Sequence, residues 1–141
     1  LSKWDVSAAK QTWDMFAATS AFNQDLSKWD VSAVTNMMDM FSCAESFNQD
    51  LSKWDVSAVT VMGYMFSRAS AFNQDLSKWD VSAVTDMRSM FHRASAFKRE
   101  LCGDAWVNSK ADKSEMFTDS PGSISSTSCT TAKPSDGEGF G

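Results

Sequence analysis

With 141 residues, a formal charge of −5 and no cluster of Lys or Arg, the chain lacks the grouped cations that neutralise phosphate, so no nucleic-acid partner is expected. No apolar run approaches the roughly 20 residues of a membrane-spanning helix and no signal peptide is visible, so no direct membrane span is expected either. The hydrophobic share is an ordinary 43%, but 9 Met, 10 Phe and 6 Trp carry it in place of Leu and Ile, which predicts a core of rings and thioethers.

The chain opens at Leu1, inside a repeat, with no initiator Met and no preceding FNQD. Either a segment has been removed or the chain is a fragment. The fourteen residues FNQDLSKWDVSAVT then recur unchanged from Phe22, Phe47 and Phe72, a period of 25, and WDVS occurs a fourth time at Trp4. A unit this short cannot close a core alone and must stack on its neighbours. Residues 1–100 are read as four solenoid repeats, 101–129 as a degenerate fifth repeat and C-terminal cap, and 130–141 as a flexible tail. In the first repeat Ala9, Thr12 and Trp13 replace the usual Val, Met and variable residue, so this coil is expected to pack differently or to sit near a terminus. A strand edge open at Leu1 would add another chain's strand, an edge-to-edge association through the N-terminal coil.

One repeat, 51–75, predicts the rest. Trp54, Asp55, Val56 and Ser57 alternate apolar and polar, the period of a half-buried strand. Val59, Met62, Met65, Phe66 and Ala69 then fall at three- and four-residue steps, which predicts a short helix with Ser57 or Thr60 as its N-cap. Phe72 begins the return and Asn73 sits in the turn. The fold class expected is an α/β repeat solenoid, with a parallel sheet on one side, short helices on the other and one coil per 25 residues. Identical residues then form columns about 4.8 Å apart. Trp4, Trp29, Trp54 and Trp79 run inside, as do Phe22, Phe47, Phe72 and Phe97, and Met15, Met40, Met65 and Met90. The inward alternation favours packing over a sugar-binding role for the rings. Asn23, Asn48 and Asn73 are expected to form a ladder that ends before Lys98.

The outer face carries the candidate interaction residues. Lys3, Lys28, Lys53 and Lys78 form a basic column, and Asp5, Asp30, Asp55 and Asp80 an acidic column two residues on. Like charges about 5 Å apart repel by under about 1 kcal/mol per pair in water, and the neighbouring column of opposite sign offsets this. Two readings stand: a solvated, charge-balanced face, or a regular surface read by a partner. Divalent cations on the Asp column are disfavoured by the adjacent lysines.

Cys43 replaces Ala18, Arg68 and Arg93 at a tolerant position that reads as exposed, and the lone histidine, His92, reads as exposed and inert. Cys102 and Cys129 either form a disulfide, which implies an oxidising compartment, or remain two reduced small apolar residues. No nucleophile–base pair, phosphate-binding glycine loop or metal-ligand spacing is present, so no enzyme, cofactor or metal site is expected. In the fifth unit Leu101, Trp106, Val107, Met116 and Phe117 keep the repeat's order, but the gap from Leu to Trp grows by two.

The succession L-x-x-W-x-V, V-T-x-M-x-x-M-F and A-x-x-F-N-Q-D over residues 1 to about 100 resembles the 25-residue surface-protein repeats grouped with BspA-like leucine-rich repeat proteins. That resemblance implies a leucine-rich-repeat-like solenoid at the cell surface or secreted, with a protein or cell-surface partner in adhesion or protein–protein contact. It implies no catalytic residues. The alternative is a rigid structural or scaffold subunit of a larger assembly, intracellular or organellar, which the near-identity of the repeats favours.

Overall fold

The computed structural model describes residues 3–129. Leu1, Ser2 and the expected flexible tail, 130–141, lie outside the described residues.

Each coil is built from turns set by aspartate. In the unit 51–75 the preceding Asp50 accepts the Ser52 N–H at 2.8 Å, and the Trp54 N–H closes a turn on the Leu51 carbonyl at 3.0 Å. The same device follows at once: Asp55 accepts the Ser57 N–H at 3.0 Å, and the Val59 N–H closes on the Val56 carbonyl at 3.0 Å. An Asp side chain that captures the N–H two residues on stands in for a backbone turn. The strand expected over residues 54–57 is therefore corrected to a pair of turns, which still send Trp54 and Val56 inward.

The helix expected over 59–69 is corrected too. The N–H groups of Met62, Tyr64, Phe66 and Arg68 donate to the carbonyls of Asp86, Arg88, Met90 and His92 in the next coil, at 2.8, 2.8, 2.8 and 2.7 Å. The alternate N–H groups of Met65, Ser67 and Ala69 close turns on Met62, Tyr64 and Phe66 at 3.2, 3.1 and 3.0 Å. None is left for the i−4 bonding of an α-helix. Tyr64 and Arg68 reach this geometry with φ of 60°, as do their counterparts Asp39 and Cys43 at 57° and 60°. A left-handed residue costs about 1–2 kcal/mol, and the ladder bonds on either side offset it. Parallel pairing runs through this same stretch, by single bridges Gln11 to Asn36, Asn36 to Val61, Val61 to Asp86 and Asp86 to Asp112. Ser57 and Thr60 are not helix caps: Ser57 closes the Asp55 turn, and Thr60 donates its N–H to the Thr35 carbonyl at 2.8 Å.

The core lies between these two stretches of every coil. Phe16, Phe41, Phe66, Phe91 and Phe117 stack with centroids 5.5–5.6 Å apart, and Phe22, Phe47, Phe72 and Phe97 stack beside them at 5.7–6.1 Å. Met40, Met65 and Met90 are fully buried in the same core. Two of the buried indoles are tied backwards: Trp54 and Trp79 donate to the Leu26 and Leu51 carbonyls at 2.9 and 2.8 Å. Three members of the inner columns depart from expectation, Phe22 being only half-buried. Trp4 is 57% exposed and Met15 lies at the surface, because in the first coil each has a described neighbour on one side only.

The C-terminal end carries the only regular elements among the described residues: β1 (Glu100–Leu101), α1 (Asp104–Val107) and β2 (Ser123–Ile124). Strands β1 and β2 are parallel, Leu101 opposite Ile124. Helix α1 absorbs the two extra residues between Leu101 and Trp106. Trp106 is thereby returned to the buried column, its indole donating to the Leu76 carbonyl at 2.8 Å. Gly103 lets the chain enter α1 here, since a Cβ would run into the Ser77 carbonyl oxygen.

Candidate functional site

The repeat places Lys3, Lys28, Lys53 and Lys78, and Asp5, Asp30, Asp55 and Asp80, on the solvent-exposed side of their turns. The two columns differ in what they do. Asp5, Asp30, Asp55 and Asp80 each accept the N–H of the serine two residues on at 3.0–3.1 Å and its hydroxyl at 2.5–2.6 Å. The hydroxyl bond above all, then the backbone bond, holds the carboxyls of Asp5, Asp30 and Asp55 below their ordinary range. Asp30 is pushed partly back by Asp5 and Asp55 on either side.

The lysines have no such employment. Among the described residues the ion pairs are Arg88 with Asp86 at 3.1 Å and Asp112 at 4.0 Å, and Arg93 with Asp119 at 3.7 Å. No lysine of the column pairs with an aspartate of its neighbour. Lys28 and Lys53 act on Asp25 and Asp50 only weakly and through space. The face is thus a column of cations without ion pairs beside a column of anions that already serve the backbone.

A second acidic column escaped the sequence reading. Asp25, Asp50 and Asp75 accept the N–H groups of Ser27, Ser52 and Ser77 at 2.8, 2.8 and 2.9 Å. The signal was present: DLSKW and DVSAV are successive versions of one five-residue turn, Asp at its start and Ser two residues on. Near its C-terminal end Asp50, Asp75, Gln74, Lys78 and Arg99 line a polar hollow of about 250 Å³. Its charges are of both signs, and Ser52, whose hydroxyl also bonds the Asp50 carboxylate, lines it as well.

Beside this column the asparagines form their ladder. The Asn48, Asn73 and Lys98 N–H groups each donate to the side-chain oxygen of Asn23, Asn48 and Asn73 in the coil before, at 2.9 Å. Gln49 and Gln74 add amide bonds to the Asn23 and Asn48 oxygens. The ladder's last acceptor is Asn73. Arg99 ends the glutamine column by donating its guanidinium to the Asn73 carbonyl at 3.1 Å.

The remaining sequence candidates lie apart. Cys102 and Cys129 are joined by a disulfide, their Cα atoms 4.8 Å apart. Cys43, expected at the surface, is half-buried; its short side chain stays beside the Ser42 hydroxyl, 3.9 Å from the sulfur, whereas the longer Arg68 and Arg93 at the same repeat position reach solvent. His92 is half-buried rather than exposed, as are Ala17 and Ser42 at the same repeat position, where Ser67 is buried: the position lies against the neighbouring coil. No group of three or more His, Cys, Asp or Glu among the described residues is placed to hold a metal ion, and no helix among them is long and apolar enough to cross a membrane.

The aspartate turns give the fold an acid limit. A carboxyl whose folded pKa lies below its unfolded value contributes stability above the unfolded value, near 4, and loses it as the pH falls through the folded value. Asp5, Asp25, Asp30, Asp50, Asp55 and Asp112 all shift this way, mainly through serine bonds, and Asp86 through its bond to Arg88. Asp39 opposes them, raised by burial and by Asp14. The melting temperature is expected to hold from about pH 7 to 5 and to fall between about pH 4 and 2; a flat or rising profile in the acid range contradicts the turn role.

No curated protein and no solved structure matches the chain. One family model does, described as Mycoplasma protein of unknown function, DUF285, over residues 15–127. That span runs from the first ladder segment, through every later aspartate turn and aromatic column, to the residues just past β2, and the chain belongs to the DUF285 family.

Proposed function

We propose that the chain is a non-enzymatic repeat module for protein–protein contact or adhesion, built as a leucine-rich-repeat-like solenoid and related to the BspA-like surface repeats. The observation that carries this reading is the lysine column. Packing accounts for the Trp, Phe and Met columns and backbone capping for the Asp and Asn columns, while Lys3, Lys28, Lys53 and Lys78 are exposed and make no ion pair among the described residues. A column of evenly spaced cations suits a partner that presents acidic groups at a similar interval. The disulfide supports an oxidising compartment and so a cell-surface or secreted location.

The test is charge reversal on the column. Lys28→Glu, Lys53→Glu and Lys78→Glu together are expected to leave the melting temperature within a few degrees of the parent, because all three side chains are exposed. Retention on an immobilised acidic polypeptide at low salt is expected to fall at least about tenfold. Equal retention of parent and variant, or none by either, overturns the reading. The scaffold alternative draws support from the near-identity of the coils, since a uniform surface suits a periodic assembly. It predicts self-assembly that the lysine variant leaves intact.

A further inference from the structure

Cys102 stands where the preceding repeats carry Ser27, Ser52 and Ser77, so the terminal repeat replaces a turn serine with a thiol. Its disulfide partner, Cys129, lies 27 residues on. Between them the chain completes the last coil and returns as a strap, 121–129, laid along β1. The noncovalent attachment of this strap is slight. The N–H groups of Ser123, Ser125 and Cys129 donate to the carbonyls of Arg99, Leu101 and Cys102 at 3.1, 2.9 and 2.7 Å, and Ile124 reaches the core only half-buried. Gly122 rests on the Phe97 ring so closely that a Cβ would collide with it. The junctions between the preceding coils have, by contrast, their own ladder of backbone bonds and two stacked phenylalanine columns.

We propose that the Cys102–Cys129 disulfide is a redox latch. Its reduction releases the strap 121–129 from β1 and uncovers Leu101 and Phe97, while the preceding repeats stay stacked. The two sulfurs differ in access: Cys129 is exposed and Cys102 half-buried. A thiolate of a dithiol reductant attacks the Cys129 sulfur; the sulfur–sulfur bond breaks, and Cys102 leaves as a thiolate. The Ser77 hydroxyl, 3.7 Å from the Cys102 sulfur, is placed to donate a hydrogen bond to that leaving thiolate before water protonates it. The reductant's second thiol then displaces Cys129 from the mixed disulfide. Two electrons and two protons pass to the protein, and the dithiol ends as its own disulfide. The strap, the segment with the fewest buried contacts, then opens locally.

Amide hydrogen exchange on the full chain, with and without dithiothreitol, tests this. After reduction the Ser123, Ser125 and Cys129 amides are expected to exchange at least about tenfold faster, while those of Phe41, Phe66 and Arg68 keep their rates. The Cys102→Ser, Cys129→Ser double variant is expected to show the fast strap exchange without reductant, and its first substitution restores the serine that the other repeats carry at that position. Strap protection that survives both reduction and the double substitution overturns the latch. So does loss of protection in the repeats together with the strap, which would make the disulfide a support of the whole fold.

Discussion

Replacement of Trp54 by Ala is expected to cost about 3–5 kcal/mol, the range for emptying a buried aromatic site. Trp54 is 4% exposed and lies with its ring plane 2° from that of Trp79, centroids 6.5 Å apart. It also tilts against Phe41 at 6.3 Å, so one truncation opens a void between two coils. The indole bond adds to the loss. Without it the Leu26 carbonyl keeps only the Trp29 N–H, at 3.0 Å, and the lost bond accounts for about 0.5–1.5 kcal/mol of the same total. Trp4→Ala is the internal control. The same residue type at the same repeat position is 57% exposed, and its loss is expected to cost under about 1 kcal/mol. Urea denaturation of both variants and the parent, followed by circular dichroism, measures the contrast. Equal costs at the two positions would mean that the columns do not carry the stability.

The contrast bears on what could be read from residues alone. Columns were legible because identity at 25-residue intervals translates directly into stacking, and an inward Trp or Phe at one coil predicts the next. Local backbone was not. Val59, Met62, Met65, Phe66 and Ala69 satisfy a helical spacing, but a chain of turns with left-handed residues at Tyr64 and Arg68 turns the same five inward. Apolar spacing reports which side chains are buried, not where each N–H is spent. Here the N–H groups cross to the next coil, a choice visible only once the coils are stacked. The candidate face was legible in position and only half legible in meaning. Lys53 and Asp55 look alike as outward charges of opposite sign, yet Asp55 is bound to Ser57 while Lys53 forms no ion pair among the described residues. The Asp-x-Ser spacing distinguished them, and it also marked the overlooked column of Asp25, Asp50 and Asp75.

If the columns set the fold, a whole coil is removable. Excision of 51–75 joins Asp50 to Leu76, and the coil 26–50 then meets 76–100 instead of 51–75. Trp29 would face Trp79, Phe41 would face Phe91 and Phe47 would face Phe97, each the same residue type as the partner lost. The Lys98 N–H would meet the Asn48 oxygen in place of Asn73, and the ladder donors of Met37 and Phe41 would meet the carbonyls of Asp86 and Met90. One local adjustment is needed. Met38 would take the place of Gly63 beside Asp86, where a Cβ comes within 3.2 Å of the carboxylate, a mobile side chain able to shift. The shortened chain is expected to keep a single cooperative urea transition and its near-ultraviolet aromatic spectrum. It should be less stable by the contribution of one coil, since stability in stacked repeats adds unit by unit. Excision of one residue more, 50–75, removes the aspartate that opens the Leu76 turn and leaves that coil too short to close. The last coil accommodates added residues through α1, but a missing one shifts Trp79 and every later column against its neighbour. That variant is expected to lose the cooperative transition. Equal behaviour of the two deletions would show that the 25-residue register does not hold the coils together.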